Sequence, residues 1–281
     1  MRQCDSDCRE TSKEWWTRVH VNRRLEVVDG ALLRISGPDD GPTLFLLPGF
    51  PDNGQMFEPL NAYSLAKHYR LVAIDLWGFG ASPRRNDAGT IDEYADALVR
   101  LIERFAPTQT VGLVGHSIAA VIWSKVSMKL GDQISGLFSI EGNLTPDDAF
   151  FTGKAMDFDD PHEFKRCFLE QVWQLGLTSL AHRRYFAGAV SADPVAMWNL
   201  GRDAKRISVN GEPGASYKRL AQPTLYYWSL ESTPPATAEW IEKSAINNQV
   251  YSGAGHWPTI EQPEATARAI SLFFNGAFEE N

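Results

Sequence analysis

An apolar run of strand length, residues 111–114, leads directly into Gly115-His116-Ser117-Ile118-Ala119 and then into a segment with helical spacing. This pattern predicts that Ser117 lies at a sharp turn between a strand and a helix, where a serine hydroxyl projects into an open cleft. The small residues Gly115 and Ala119 permit a tight turn, and the following helix N-terminus favours developing negative charge. The turn therefore predicts an α/β fold with a nucleophile at the edge of its sheet.

Strand and helix patterns alternate along residues 21–143 and 221–281, which predicts a mostly parallel, eight-stranded sheet flanked by helices. Functional groups in such sheets gather at the carboxyl ends of the strands. Phe50, Ser117 and Glu141 each lie in a loop or turn that follows a predicted strand. We therefore expect these three residues to lie close together.

The pattern changes over residues 144–220, where strand signals vanish and aromatic residues are frequent. Helices are predicted at residues 161–175, 179–188 and 194–205, so this segment is interpreted as a helical cap inserted into the core. Residues 1–20 are interpreted as a polar N-terminal arm.

A serine hydroxyl needs a base within hydrogen-bond reach before it attacks a carbonyl carbon at neutral pH. His256 is the natural candidate because it follows the last predicted strand, in Gly255-His256-Trp257-Pro258. The other histidines fit this role less well. His20 and His68 precede strands, His162 and His182 fall in the predicted cap, and His116 adjoins the serine and should point away from it.

The core, residues 21–142 and 221–279, resembles the α/β-hydrolase fold superfamily. The resemblance rests on Leu47-Pro48-Gly49-Phe50, the glycine-rich turn at residues 75–82, the turn around Ser117, and the His256 loop. It implies that Ser117 is the nucleophile and His256 the general base, and that the backbone amides of Phe50 and Ile118 form the oxyanion hole. It implies neither a cofactor nor a metal.

The position of the catalytic acid departs from the usual pattern of the superfamily. Most members carry an aspartate in the loop after the seventh core strand, where this chain has Ser232; Glu231 fits only with a one-residue shift. Glu141 directly ends the sixth core strand, as the acid does in the similar zearalenone-lactone hydrolases. A glutamate at this point would need an imidazole or cationic partner if buried. Glu141 is therefore the preferred acid and Glu231 the alternative.

A serine at position 117 argues against dehalogenase and epoxide hydrolase chemistry, for which this fold uses a carboxylate nucleophile. The favoured function is cleavage of an ester or lactone of an apolar, medium-sized molecule through an acyl-enzyme. The predicted substrate pocket comprises Phe50, His116, Phe150, Phe151, Trp173 and Trp257.

Three other functions stay open: a C–C bond hydrolase, a receptor-like binding protein, and a cofactor-free dioxygenase of a heteroaromatic ring. Such dioxygenases carry a histidine in the loop after Pro-Gly, but residues 51–53 supply none. Oxygen consumption with a hydroxyquinolone would identify the dioxygenase, and slow single-turnover hydrolysis with tight ligand retention would identify the receptor.

Composition narrows the class of partner. A net charge of −8 without a basic stripe argues against nucleic acid and anionic membranes, so a small apolar substrate is expected. No run reaches the roughly 18 to 20 apolar residues of a membrane span, and no signal peptide is recognised. A cytoplasmic monomer or homodimer is therefore expected, with Cys4, Cys8 and Cys167 as free thiols.

Overall fold

The structure, a computed structural model, describes residues 22–279; the predicted arm, with Cys4 and Cys8, lies outside the described residues. Within this range the chain forms eight strands, which are β1 (Arg23–Val28), β2 (Ala31–Ser36), β3 (Thr43–Leu47), β4 (Arg70–Asp75), β5 (Val111–His116), β6 (Ile134–Ile140), β7 (Thr224–Ser229) and β8 (Asn248–Tyr251). They form one sheet in the order β1-β2-β4-β3-β5-β6-β7-β8. Strand β2 is antiparallel to β1 and β4, and the other neighbours pair in parallel. The predicted fold class is confirmed.

The central strands are buried on both faces because helices cover the two sides of the sheet. Every residue of β3, β5 and β6 is buried, as expected for strands that read as continuous apolar runs. The edge strand β1 instead alternates between exposed and half-buried positions. Since β3, β5 and β6 are neighbours and parallel, their carboxyl ends bring the loops after Leu47, His116 and Ile140 together.

The helices outside the β6–β7 connection flank the sheet. The α-helices are Leu65–His68, Ile91–Phe105, Ala119–Leu130, Pro235–Ser244, Pro258–Glu261 and Pro263–Glu279, and the 3-10 helices are Gly54–Ala62 and Gly131–Gln133. The helix Ile91–Phe105 begins with a capping box, in which the Thr90 and Glu93 side chains each accept a backbone N–H. No helix between residues 22 and 279 is both long and apolar enough to cross a membrane.

The connection between β6 and β7, which we call the helical insertion (residues 144–220), contains no strand. Its elements are the 3-10 helices Pro146–Phe150 and Thr152–Asp157 and the α-helices Pro161–Gly176, Leu180–Val190, Pro194–Ser208 and Glu212–Lys218. The first three α-helices match the helices predicted from sequence to within three residues at their ends. The fourth was not predicted, because Pro213 and Gly214 weaken its helical pattern.

The helical insertion packs against the loops at the carboxyl edge of the sheet. The Tyr185 hydroxyl donates a hydrogen bond to the Phe50 carbonyl oxygen at 2.6 Å. The backbone N–H of Asp193 donates to the carbonyl of Gly78 at 2.7 Å. The insertion is thus anchored to the loops that follow β3 and β4.

Asp52 is a buried carboxyl group at this contact, with 5% of the residue exposed. One of its oxygens accepts the backbone N–H of Asn53 at 2.8 Å. The helix Leu180–Val190 approaches so closely that a Cβ on Gly188 would collide with the Asp52 carboxyl group. Burial raises the pKa of Asp52 to about 7, partly offset by the Asn53 hydrogen bond.

This buried carboxyl group predicts a pH dependence of stability. Between pH 4 and 7 the folded protein holds a proton on Asp52 that the unfolded chain has released, so the free energy of unfolding falls as pH rises. We expect Asp52→Asn, which keeps the shape and stays neutral, to stabilise the protein by about 2 to 4 kcal/mol at pH 8 and by much less at pH 5. Urea unfolding of both proteins at the two pH values measures the difference. A difference that does not vary with pH would contradict the assignment.

Candidate active site

Ser117 lies at the turn between β5 and the helix Ala119–Leu130, as predicted. Its φ is +55°, a left-handed conformation that is strained for a residue with a side chain. The Ser117 N–H donates to the Ile140 carbonyl at 2.9 Å, which ties the turn to the end of β6. Non-glycine residues held in this conformation cluster at functional sites, so the strain marks Ser117 as a candidate nucleophile.

Glu141 faces His256 across the edge of the sheet. Its carboxylate oxygen Oε2 lies 3.5 Å from Nδ1 of His256, and the side chains are 3% and 13% exposed, respectively. Like Ser117, Glu141 has a positive φ, +49°. This contact has the length of an ion pair rather than of a short hydrogen bond. A carboxylate at this distance can orient the imidazole and stabilise its protonated form.

Three donors hold the Glu141 carboxylate in place. The Ser229 N–H and the Tyr251 hydroxyl both donate to Oε1 at 2.8 Å, and the Thr233 hydroxyl donates to Oε2 at 3.1 Å. Burial and the charge of Glu141 raise the pKa of Tyr251, so its hydroxyl keeps its proton. The ends of β7 and β8, together with Thr233 of the loop after β7, therefore hold the Glu141 carboxylate, although Glu141 itself follows β6.

Glu231, the alternative acid, is directed elsewhere. Both of its carboxylate oxygens accept the Gly253 N–H at 3.1 Å, and one also accepts the Ser229 hydroxyl at 3.3 Å. These bonds link the loop after β7 to the turn after β8. The structure thus brings Glu141, and not Glu231, into contact with His256.

Asn143 is a residue of the site that the sequence interpretation missed. The Ser117 hydroxyl donates to its Oδ1 at 3.3 Å, whereas no hydrogen bond between Ser117 and His256 is found among residues 22–279. Asn143 is 2% exposed, and its side-chain N–H group has no protein partner within the same range. Its position two residues after Glu141, at the same strand end, was the signal that could have identified it.

His116, one of the predicted pocket residues, packs against His256, with 4.7 Å between the ring centroids. It is 2% exposed, and its Nε2 lies 2.7 Å from the His256 carbonyl oxygen. Burial, together with the nearby His256, lowers the pKa of His116 well below 6.5, so the ring is neutral at physiological pH. A neutral ring facing a carbonyl oxygen carries its proton on Nε2 and donates it there.

The loop after β3 lies directly against Ser117. A Cβ on Gly49 would come within 2.9 Å of the Ser117 Cβ, so only glycine permits this approach. The neighbouring amide of Phe50 and the amide of Ile118 donate to no oxygen of residues 22–279. Two backbone N–H groups beside the serine are thus free to bind an oxygen that carries negative charge.

An aromatic cluster joins the helical insertion to His256. Trp257 packs 5.2 Å from His256 and 4.9 Å from Tyr185, measured between ring centroids. Other rings of the cluster include Phe50, His116, Phe151, Phe158, Phe164, Phe168 and His182. Phe150 lies at its rim, 41% exposed, with its ring 5.8 Å from His256. The predicted pocket residues Phe50, Phe150, Phe151 and Trp257 therefore belong to one set of linked rings, of which Phe150 and Trp257 pack against His256.

Trp173 does not belong to this group, which corrects the prediction. It is 51% exposed and packs against Phe186 at 5.3 Å. The buried residues of its helix are Phe164, Phe168, Val172 and Gly176, so Trp173 lies off the face that meets the core. Within the described part of the chain, no three His, Cys, Asp or Glu side chains are grouped to hold a metal.

Comparison with known proteins extends these observations. A 2-(acetamidomethylene)succinate hydrolase of Mesorhizobium japonicum is 26% identical over 279 residues, which cover 91% of this chain and 95% of the relative. An esterase of Thermogutta terrifontis superposes with a TM-score of 0.70 at 19% identity and covers 91% of this chain and 99% of its own. An N-acyl homoserine lactonase superposes with a TM-score of 0.71 at 15% identity and covers 92% and 97%.

The model of the alpha/beta hydrolase family matches residues 44–269. This match runs from β3 to the last helix and includes the turn at Ser117, the helical insertion and the His256 loop. The chain therefore belongs to the α/β hydrolase family.

Proposed function

We propose that this hydrolase cleaves an ester or lactone of a medium-sized small molecule through an acyl-enzyme on Ser117. The observation that carries the proposal is the meeting of three features at one edge of the sheet. They are the strained turn at Ser117, the pair of His256 and Glu141, and the free amides of Phe50 and Ile118. Acyl transfer needs these three components.

The reaction begins when the Ser117 hydroxyl turns from Asn143 toward His256. Its oxygen attacks the carbonyl carbon while His256 accepts its proton, and the amides of Phe50 and Ile118 bind the oxygen that becomes negative. The intermediate then expels the alcohol, which takes the proton from His256. Water, activated by the same imidazole, hydrolyses the acyl-enzyme, and Glu141 stabilises the imidazolium in both halves.

The helical insertion acts as a cap in this proposal. Its aromatic residues Phe151 and Tyr185 meet Trp257, next to the base, so the acyl or alcohol part of the substrate contacts an apolar surface. The Mesorhizobium japonicum relative is named as a hydrolase of a small substituted succinate. From that relative we carry over only the reaction class, hydrolysis of a small molecule.

Covalent labelling tests this function without knowledge of the natural substrate. We expect an alkyl fluorophosphonate to modify the folded protein at one site, identified by peptide mass spectrometry as Ser117, because only an activated serine reacts with it. Heat-unfolded protein is the control and should stay unlabelled. A folded sample that does not react would contradict the proposal. A screen of esters, lactones and C–C bond substrates then identifies the bond that is cleaved.

A further inference from the structure

A surface cavity of about 550 Å³ opens beside the candidate active site. Its walls come from three segments: the 3-10 helix Pro146–Phe150, Lys205 in the helix Pro194–Ser208, and the loop after β7, with Ser232 and Pro234. These segments lie in the connections after β6, which Glu141 directly follows, and after β7, whose Ser229 N–H donates to Glu141. The cavity therefore lies at the rim of the site rather than on a remote face.

Phe150 separates this cavity from the base. Its ring lines the cavity on one side and packs edge-on against His256 on the other, 5.8 Å between centroids. Ser232, which also lines the cavity, directly precedes Thr233, whose hydroxyl donates to Glu141. A molecule that reached Ser117 from this side would pass Phe150 and leave one end in the cavity.

Lys205 supplies the cavity with a positive charge. The aliphatic part of its side chain packs against Gly153: a Cβ added to Gly153 would lie 3.1 Å from Lys205 Cδ. Among the described residues none forms an ion pair with its ammonium group. Asp147 also lines the cavity, but it is exposed, so solvent screens its charge.

We propose that this cavity binds a carboxylate at one end of the substrate, with Lys205 as its partner, while the scissile carbonyl lies at Ser117. The inference rests on the proposed function, because it assigns the second end of a molecule held by that serine. The substrate class is an ester or lactone with an apolar middle, which passes Phe150, and a terminal carboxylate.

The charge of Lys205 lets the cavity prefer a carboxylate over a neutral group of the same size. The chain carries a net charge of −8, so an anionic substrate is repelled by the protein as a whole and gains from a local cation. An ammonium group presents three donors to a carboxylate and none of the acceptors that a neutral amide N–H would need. A carboxamide of the same size therefore loses the charged interaction while it keeps the apolar contacts.

The test uses two series of fluorophosphonates, whose alkyl chains of three to eight methylenes end in a carboxylate or in a carboxamide. We expect the carboxylate probe of the best chain length to label wild-type Ser117 about tenfold faster than its carboxamide partner. Lys205→Met should reduce this ratio to about one. Lys218→Met, which removes an exposed lysine outside the cavity, should leave the ratio unchanged. Raising the salt concentration should lower the wild-type ratio.

The outcomes separate the two proposals. If neither series labels Ser117, the nucleophile is wrong and the proposed function fails. If both series label it at equal rates at every chain length, or if Lys205→Met keeps the preference, the carboxylate site is wrong while the serine hydrolase stands. Lys205→Gln, a polar replacement, repeats the measurement should the methionine variant fold poorly.

Discussion

Ser117→Ala is expected to lower kcat by roughly 10⁴- to 10⁶-fold on any ester that the wild-type protein hydrolyses. The substitution removes the only atom that can form the acyl-enzyme, and it leaves the amides of Phe50 and Ile118 in place. Residual turnover would then come from substrate binding and from those amides alone. Steady-state hydrolysis of an activated aryl ester, with burst-phase kinetics for the wild type, measures the loss.

A serine on the helix that follows Ser117 provides a matched control. Ser124 is buried, and its hydroxyl donates to the Ala120 carbonyl at 2.8 Å, a bond internal to the helix. Ser124→Ala should therefore change kcat less than threefold while it undergoes the same chemical change. If Ser117→Ala kept a tenth of the wild-type activity, the nucleophile would have to be sought elsewhere.

Glu141→Gln is expected to lower kcat/KM at least a hundredfold, and Glu231→Gln less than threefold. Glutamine fills the space of Glu141 but carries no charge to stabilise the protonated His256 ring 3.5 Å away. It also places an N–H group among the three donors that now bind the carboxylate. The measurement is kcat/KM on the same aryl ester, with thermal unfolding to confirm that each variant is folded.

Glu231 is the appropriate comparison because its carboxylate also accepts hydrogen bonds from a hydroxyl, that of Ser229, and from a backbone N–H, that of Gly253. Removing its charge loosens a turn but leaves the carboxylate beside His256. If the order of the two effects were reversed, the acid would belong to the loop after β7, as in most members of the superfamily.

The sequence was sufficient to predict the features that depend only on where the strands end. Ser117, Glu141 and His256 each follow a strand-like run, and parallel strands bring such ends together whatever the details of packing. The sheet and three helices of the insertion were predictable for a similar reason, since their periodicity is strong. The helix Glu212–Lys218 was not, because its Pro213 and Gly214 have poor helix propensity.

Side-chain direction could not be predicted. A one-dimensional pattern does not say that the Ser117 hydroxyl meets Asn143, nor that the ring of His116 lies beneath His256. Trp173 was assigned to the pocket because it is aromatic, but helix rotation places it off the buried stripe. Such contacts depend on how whole elements rotate and cross, which is decided by tertiary packing.

The hydrogen bond from Tyr185 to the carbonyl of Phe50 connects the helical insertion to the loop beside Ser117. Phe50 belongs to the loop beside the serine, and Tyr185 belongs to the helix Leu180–Val190 of the insertion. If that helix moves to admit a ligand, it pulls on the Phe50 carbonyl and so moves Phe50, whose N–H, in the preceding peptide unit, would bind the developing oxyanion. Ligand entry and charge stabilisation are then mechanically coupled, so the shape of a ligand affects the rate of bond cleavage as well as the affinity.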